Sequence, residues 1–378
     1  MSLPRRSEQG LRRAAPGLAL FIIAALWLAP SSTVAEAGAP PRSSCSPTGE
    51  LSFVCGAENP EDLARIPGTR WMIASGFAAE AGLKLVDTRA KRLSRWQPDI
   101  PPVAPPAAVP PPCPSRLDAR SLNAHGLSLR SRGDGRYTLH VVNHGGRESI
   151  EVFEVDARPD RPTLSWAGCL PMPAGLAANS VATFSDGTVL TTVLTRPGTT
   201  IADFVAGRAT GGVYQSTLGD AAFRLLPGTE LPGNNGLETS RDDGEFYVVA
   251  FGWHAVVVYK RDDTSHPLRR AVAPDFMPDN IHWDGGRLIA AGMRYDEPAC
   301  GGLRGAVGGV ADPMTCHRGY VAAVFEPGTG AFRTLAYGPP NPAFNDVSSA
   351  VVIGDELWLG AFKSDRLAWR RLHATPAR

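Results

Sequence analysis

Six times along the chain a short strand-like run meets a tight turn and then a strongly apolar strand, and this repetition limits the fold more than any other feature. The units begin at Glu61, His125, Asn179, Asn235, Asn280 and Ser348. Four of their turns carry Asp134-Gly135, Asp186-Gly187, Asp243-Gly244 and Gly285-Gly286, dipeptides that supply the positive φ values tight hairpins need. The strands that follow, such as those at 139–142 and 246–250, are rich in β-branched and aromatic residues. Unit starts lie about 45–70 residues apart, the size of a four-stranded blade. A β-sandwich would not repeat one strand–turn–strand unit six times, whereas a closed ring of six removes the exposed sheet edges that an open array would leave. The expected fold is therefore all-β, a six-bladed β-propeller occupying 58–378.

The remaining segments fit around that ring. The N-terminus places Arg5, Arg6, Arg12 and Arg13 before an apolar run from Leu18 to Ala29, followed by Ala35-Glu36-Ala37. This order predicts a signal peptide over 1–37, because the run is shorter than the roughly 20 residues a membrane span needs. A lead-in is expected over 38–57, and the mature protein is expected to be exported, periplasmic or secreted, with no stable membrane span. Residues 98–116 are dominated by proline, which donates no ladder hydrogen bond, so the segment reads as an extended surface loop. A net charge of +1 gives nucleic acid no basic surface to bind.

Export makes the six cysteines readable as disulfides. Sequence proximity favours Cys45–Cys55 and Cys300–Cys316, and elimination leaves Cys113–Cys169, among the 15 pairings that six cysteines allow. The alternative, a catalytic thiol at Cys316 beside His317, lacks a typical nucleophile context.

In a propeller the first strand of every blade lines the central channel, so the unit starts become neighbours at one mouth. They bring Glu61, Asp62, His125, Asn179, Asn235, Asp279 and Asn280, a set unsuited to a packed apolar channel. Carboxylates and carboxamides together suit a hard cation, and calcium takes six to eight oxygens of this kind. Without a cation, crowded carboxylates repel and at least one has a raised pKa. Clustered Cys and His ligands for zinc are missing. Turn chemistry offers each residue singly a bland role, as in Pro232-Gly-Asn-Asn-Gly236; their shared register favours the calcium tunnel.

The same residues carry a resemblance. Glu61-Asp62, His125-Gly126 with the strand ending Val141-Val-Asn-His144, Asn235-Gly236 and Asp279-Asn280-Ile281 resemble the paraoxonase/arylesterase pattern. That family lies within the SMP-30/gluconolactonase/strictosidine-synthase-like propellers. The resemblance spans the chain from about Glu58 onward. It implies a catalytic calcium held by Glu61, Asn179, Asn235, Asp279 and Asn280, and a second, structural calcium near Asp62 and the Leu127 carbonyl. Ser180 stands where the family has an Asp ligand, which weakens the case for the second ion. The family's first-to-last-strand disulfide has no counterpart, because no cysteine follows Cys316; ring closure must then rest on strand pairing or another bridge. The resemblance also implies a histidine dyad, His125 and His144.

The function expected is a calcium-dependent hydrolase of lactones or aryl esters acting on a small molecule. The cation would polarise the carbonyl, and a histidine with a pKa near neutrality would deprotonate water. The alternatives are a propeller that binds a ligand or partner without catalysis, and a strictosidine-synthase-like enzyme. Specificity is expected on the loops 195–212 and 295–317 around the mouth.

Overall fold

A computed structural model describes residues 45–101, 113–217, 219–220, 222–312 and 314–372. The predicted signal peptide lies outside these residues, as does the larger part of the proline-rich segment. The described residues form six four-stranded antiparallel sheets. Their innermost strands are Leu63–Arg65, Ala124–Gly133, Val181–Thr183, Asn234–Thr239, Phe276–Asp284 and Val347–Ile353, each falling in one of the six repeat units. Blades 1 to 5 run outward from these strands in chain order, blade 5 with an insertion after its second strand, Arg287–Arg294. The local chemistry follows the turn signals: at the blade 2 hairpin both Asp134 (φ 49°) and Gly135 (φ 70°) take positive φ.

Blade 6 closes the ring. Its inner three strands are Val347–Ile353, Glu356–Ala361 and Arg366–Arg371, and its outer strand is Ser52–Cys55, paired antiparallel with Ser52 opposite Trp369 and Cys55 opposite Arg366. The propeller thus begins inside the segment read as a lead-in, and strand pairing supplies the closure that no cysteine could. The apolar core confirms the ring, with one buried cluster between every pair of neighbouring blades. The cluster joining blades 6 and 1 packs Trp358 and Leu367 against Met72 and Val86.

The three disulfides are those expected: Cys45–Cys55, Cys113–Cys169 and Cys300–Cys316. Cys113–Cys169 ties one end of the proline-rich segment to the outer strand of blade 2, and Asp99, at the other end, bridges Ser165 of that strand. Cys300–Cys316 closes the blade 5 insertion, 295–319. Among the described residues no helix is long and apolar enough to cross a membrane.

Candidate functional site

The unit starts converge because the inner strands are bulged where they reach the mouth. The pairing register shifts between Ala124 and Leu127, between Asn234 and Leu237, between Pro278 and Asn280, and between Val347 and Ser349. A bulge sets two residues against one on the neighbouring strand and re-aims a side chain. His125, Asn235, Asp279 and Ser348 all lie at these irregularities. Asn280 accordingly sits within the strand Phe276–Asp284 rather than ahead of it. Two glycines let adjacent blades touch. A Cβ on Gly126 would stand 2.6 Å from the Asn179 carbonyl oxygen, and one on Gly236 would collide with the Asp279 carbonyl. Blade 6 locks to blade 1 through Ser348 and Ser349, whose hydroxyls donate to the Glu61 carbonyl at 2.6 and 2.8 Å.

Four predicted ligands form a connected cluster. Asn280 Nδ2 donates to Glu61 Oε1 at 2.6 Å, and the Asn235 carboxamide hydrogen-bonds the Asp279 carboxyl. All four residues are buried. Asn179 stands at the start of blade 3, where its backbone packs against Gly126, the residue after His125. Glu61 Oε2 and Asn235 Oδ1 are buried without a hydrogen-bond partner, which costs free energy unless another group meets them. Burial, and then the charges of Asp62 and Asp279, raise the Glu61 carboxyl well above its usual value. Burial likewise pushes Asp279 up to about 8, against the hydrogen bond from Asn235.

Among the described residues no three His, Cys, Asp or Glu side chains are grouped as a metal site. The cluster is instead two carboxylates with carboxamides. Orphaned acceptor oxygens beside carboxylates that resist ionisation fit a hard divalent cation, and they do not fit a thiolate- or imidazole-seeking one.

The two predicted histidines meet. His125 Nδ1 lies 3.0 Å from His144 Nε2, and His144 Nδ1 lies 3.0 and 2.9 Å from the two oxygens of Glu148. Phe77 stacks on the His125 ring with centroids 3.9 Å apart. Burial, then the neighbouring His144, hold His125 well below its usual pKa. Glu148 and Phe77 escaped the sequence reading. Glu148 left one trace, its position four residues after His144 at the next strand's edge.

Asp62 and Leu127, implied as ligands of a second calcium, meet differently. Leu127 presents its N–H, which donates to Asp62 Oδ2 at 2.8 Å, rather than its carbonyl. The Leu63 N–H donates to Oδ1 at 2.8 Å, and His282 Nε2 reaches both oxygens at 2.8 and 3.0 Å. Burial alone would lower the His282 pKa, but the charge and hydrogen bond of Asp62, joined by Glu238, carry it to about 10. A protonated imidazole therefore supplies the positive charge at this carboxylate. His282, two positions beyond Asn280, was not singled out from the sequence.

Clefts open at both ends of the inner strands. One of about 410 Å³ is lined by Met314, His317, Asn345, Asp346 and Lys363 among others. The other, about 400 Å³, is lined by residues including Arg65, Arg130, Glu238, His282 and Trp283.

No protein-family model matches the chain, and no curated protein matches it by sequence. Solved structures do match. A protein assigned as a gluconolactonase is 14% identical with a TM-score of 0.50, over 86% of this chain and 93% of that one. A luciferin-regenerating enzyme is 14% identical with a TM-score of 0.47, over 85% of this chain and 92% of that one. A Thermus thermophilus protein assigned as a glucose dehydrogenase is 18% identical with a TM-score of 0.46, over 85% of this chain and 98% of that one. At these identities the likeness is one of fold, the six-bladed propeller shared with the gluconolactonase.

Proposed function

We propose that the chain is a calcium-dependent hydrolase of lactones or aryl esters, resembling the paraoxonases and arylesterases in its site. The observation that carries this reading is a hydrogen-bonded histidine pair, its inner member buried, beside orphaned ligand oxygens: His125 Nε2 lies 3.6 Å from Glu61 Oε2.

Calcium held by Glu61, Asn179, Asn235, Asp279 and Asn280 would polarise the substrate carbonyl and stabilise the oxyanion that develops on it. The protein's own groups handle the proton. With His125 neutral, its Nδ1–H donates to His144 Nε2, and Nε2 faces the cluster as the base. Water gives its proton to His125 Nε2 as its oxygen bonds to the carbonyl carbon. The Nδ1 proton then passes to His144 Nε2, and His144 Nδ1–H donates to the Glu148 carboxylate, which stabilises the charged ring. Return of the proton to the leaving oxygen breaks the ester bond and restores both histidines. Phe77 covers the His125 ring and fixes its plane.

Asp62 already has two backbone donors and His282, so this reading carries one calcium and leaves the Asp62 position to the imidazolium. Three disulfides suit an oxidising compartment, which agrees with a basic, then apolar, N-terminus acting as an export signal.

The test is a lactone and phenyl acetate screen of the purified protein with calcium, paired with calcium calorimetry. Hydrolysis that disappears on chelation is the expected result. Absence of both turnover and saturable calcium binding overturns the reading.

A further inference from the structure

The segment that closes the ring turns on Asn59. It lies between Ser52–Cys55, the outer strand of blade 6, and Leu63–Arg65, the inner strand of blade 1. Its φ is 50°, a left-handed backbone, although the residue before a proline, here Pro60, is pushed towards extended conformations. Asparagine tolerates that region better than most side chains, but such a residue persists only where its surroundings hold it.

The polar groups of Asn59 are all engaged. Towards blade 6 its N–H donates to the Ser364 carbonyl at 2.8 Å, and its Oδ1 accepts the Ser364 N–H at 3.1 Å. Towards blade 1 its carbonyl accepts the Phe77 N–H at 2.9 Å, and its Nδ2 donates to the Phe77 carbonyl at 3.0 Å. The same carbonyl takes the N–H of Glu61 at 2.8 Å. One asparagine thus joins the blade 6 loop after Ala361 to the blade 1 loop after Ala74, and both to a residue of the ligand cluster. The clamp needs a donor and an acceptor on one short side chain, which aspartate, alanine and glycine lack.

What the clamp holds is the ring of Phe77. That ring lies on His125, with centroids 3.9 Å apart and planes 8° from parallel, and stands 5.6 Å from the ring of His144. The neighbouring Gly76 carbonyl accepts the Ala124 N–H at 3.1 Å, which ties the same loop to blade 2 beside His125.

We infer that Asn59 is a positioning residue of the hydrolytic site. By fixing both the N–H and the carbonyl of Phe77, it keeps that ring flat on His125 and so sets where the base nitrogen points. The Asn59 side chain meets Ser364 and Phe77 alone, so its effect falls on kcat rather than on binding. The inference rests on the hydrolase reading for its kinetic consequence, while the stacking stands on the geometry alone.

Asn59→Gly keeps the left-handed backbone and removes both side-chain bonds, and Phe77→Leu keeps an apolar side chain and removes the stack. Each is expected to lower kcat for phenyl acetate in calcium by about ten- to a hundredfold, with KM and calcium affinity retained. The double variant should be no worse than the poorer single one, because the two residues act through one set of contacts. An independent readout is the proton NMR of the His125 ring, assigned by its loss in His125→Gln. The Phe77 ring current displaces these signals, and Asn59→Gly should move them to where Phe77→Leu puts them. Should Asn59→Gly fail to fold, Asn59→Asp, which keeps the Ser364 bond and loses the donor to Phe77, is read in the same way. Unmoved His125 signals, or kcat losses that multiply in the double variant, overturn the inference. If the unmodified protein hydrolyses neither phenyl acetate nor lactones, the hydrolase reading fails separately, and the NMR comparison alone decides the positioning role.

Discussion

His125 Nδ1 and His144 Nε2 stand 3.0 Å apart, while His125 Nε2 turns towards Glu61 Oε2 at 3.6 Å. In the proposed mechanism one ring thus joins the proton path to the ligand cluster, and its two nitrogens have separate tasks. His125→Gln is expected to lower kcat by about 10²–10⁴ with calcium affinity retained, and His144→Gln by less. Because burial and His144 hold His125 well below the usual histidine value, the base stays neutral in mild acid. The kcat/KM profile should stay level as pH falls past about 6.5. An acid limb centred there or higher would contradict this account.

The raised carboxyls set a pH signature for the metal-free protein. Glu61 and Asp279 have folded pKa values above their unfolded ones, so the folded state binds the extra protons. Their contribution is present below the unfolded value and disappears as pH rises, for Asp279 through about 8. Chelated protein should therefore lose Tm from pH 5 to pH 8, and the gain on adding calcium should widen over the same window. Glu61→Gln should raise the Tm of chelated protein at pH 8 and cancel most of the calcium response.

His282→Asn should be costly, by about 3 kcal/mol or more, because it leaves the buried Asp62 carboxylate without its cation. The folded pKa of His282, about 10, lies above the unfolded value. The stabilisation is complete below about 6.5 and fades as pH climbs towards 10. The Tm gap between wild type and variant should accordingly narrow between pH 7 and 10. A constant gap would assign the loss to packing instead.

Gly236→Ala tests the close approach of blades 4 and 5. The added carbon meets the Asp279 carbonyl and the Asn280 Cα, so one strand must shift where two ligands sit. A loss of about 2–4 kcal/mol is expected, together with weaker calcium binding by calorimetry. Gly286→Ala, with open space around it and no positive φ, is the control and should stay within about 0.5 kcal/mol.

The ring and its six inner strands were readable because turn dipeptides and β-branched runs act locally, as at Asp134-Gly135. Unit starts then converged by geometry, which made Glu61, Asn235, Asp279 and Asn280 legible. Other features depend on distant partners and left no local mark. His282 looks like any strand residue until Asp62, far away in the chain, is folded against it. The bulge at Asp279 is a property of pairing with Arg287–Arg294 rather than of its own strand. Ser52–Cys55 is too short to announce itself, and its partner strand comes last among the described residues.

That pairing has a consequence for the order in which the molecule is made. The first strand of the ring waits unpaired until Arg366–Arg371 has been synthesised to receive it. Blade 6 also holds the Glu61 carbonyl through Ser348 and Ser349, so the ligand cluster takes its final shape only at that moment. A growing chain with five blades complete would be an open arc with a half-built mouth. Under the proposed function, tight cation capture would then require the finished ring.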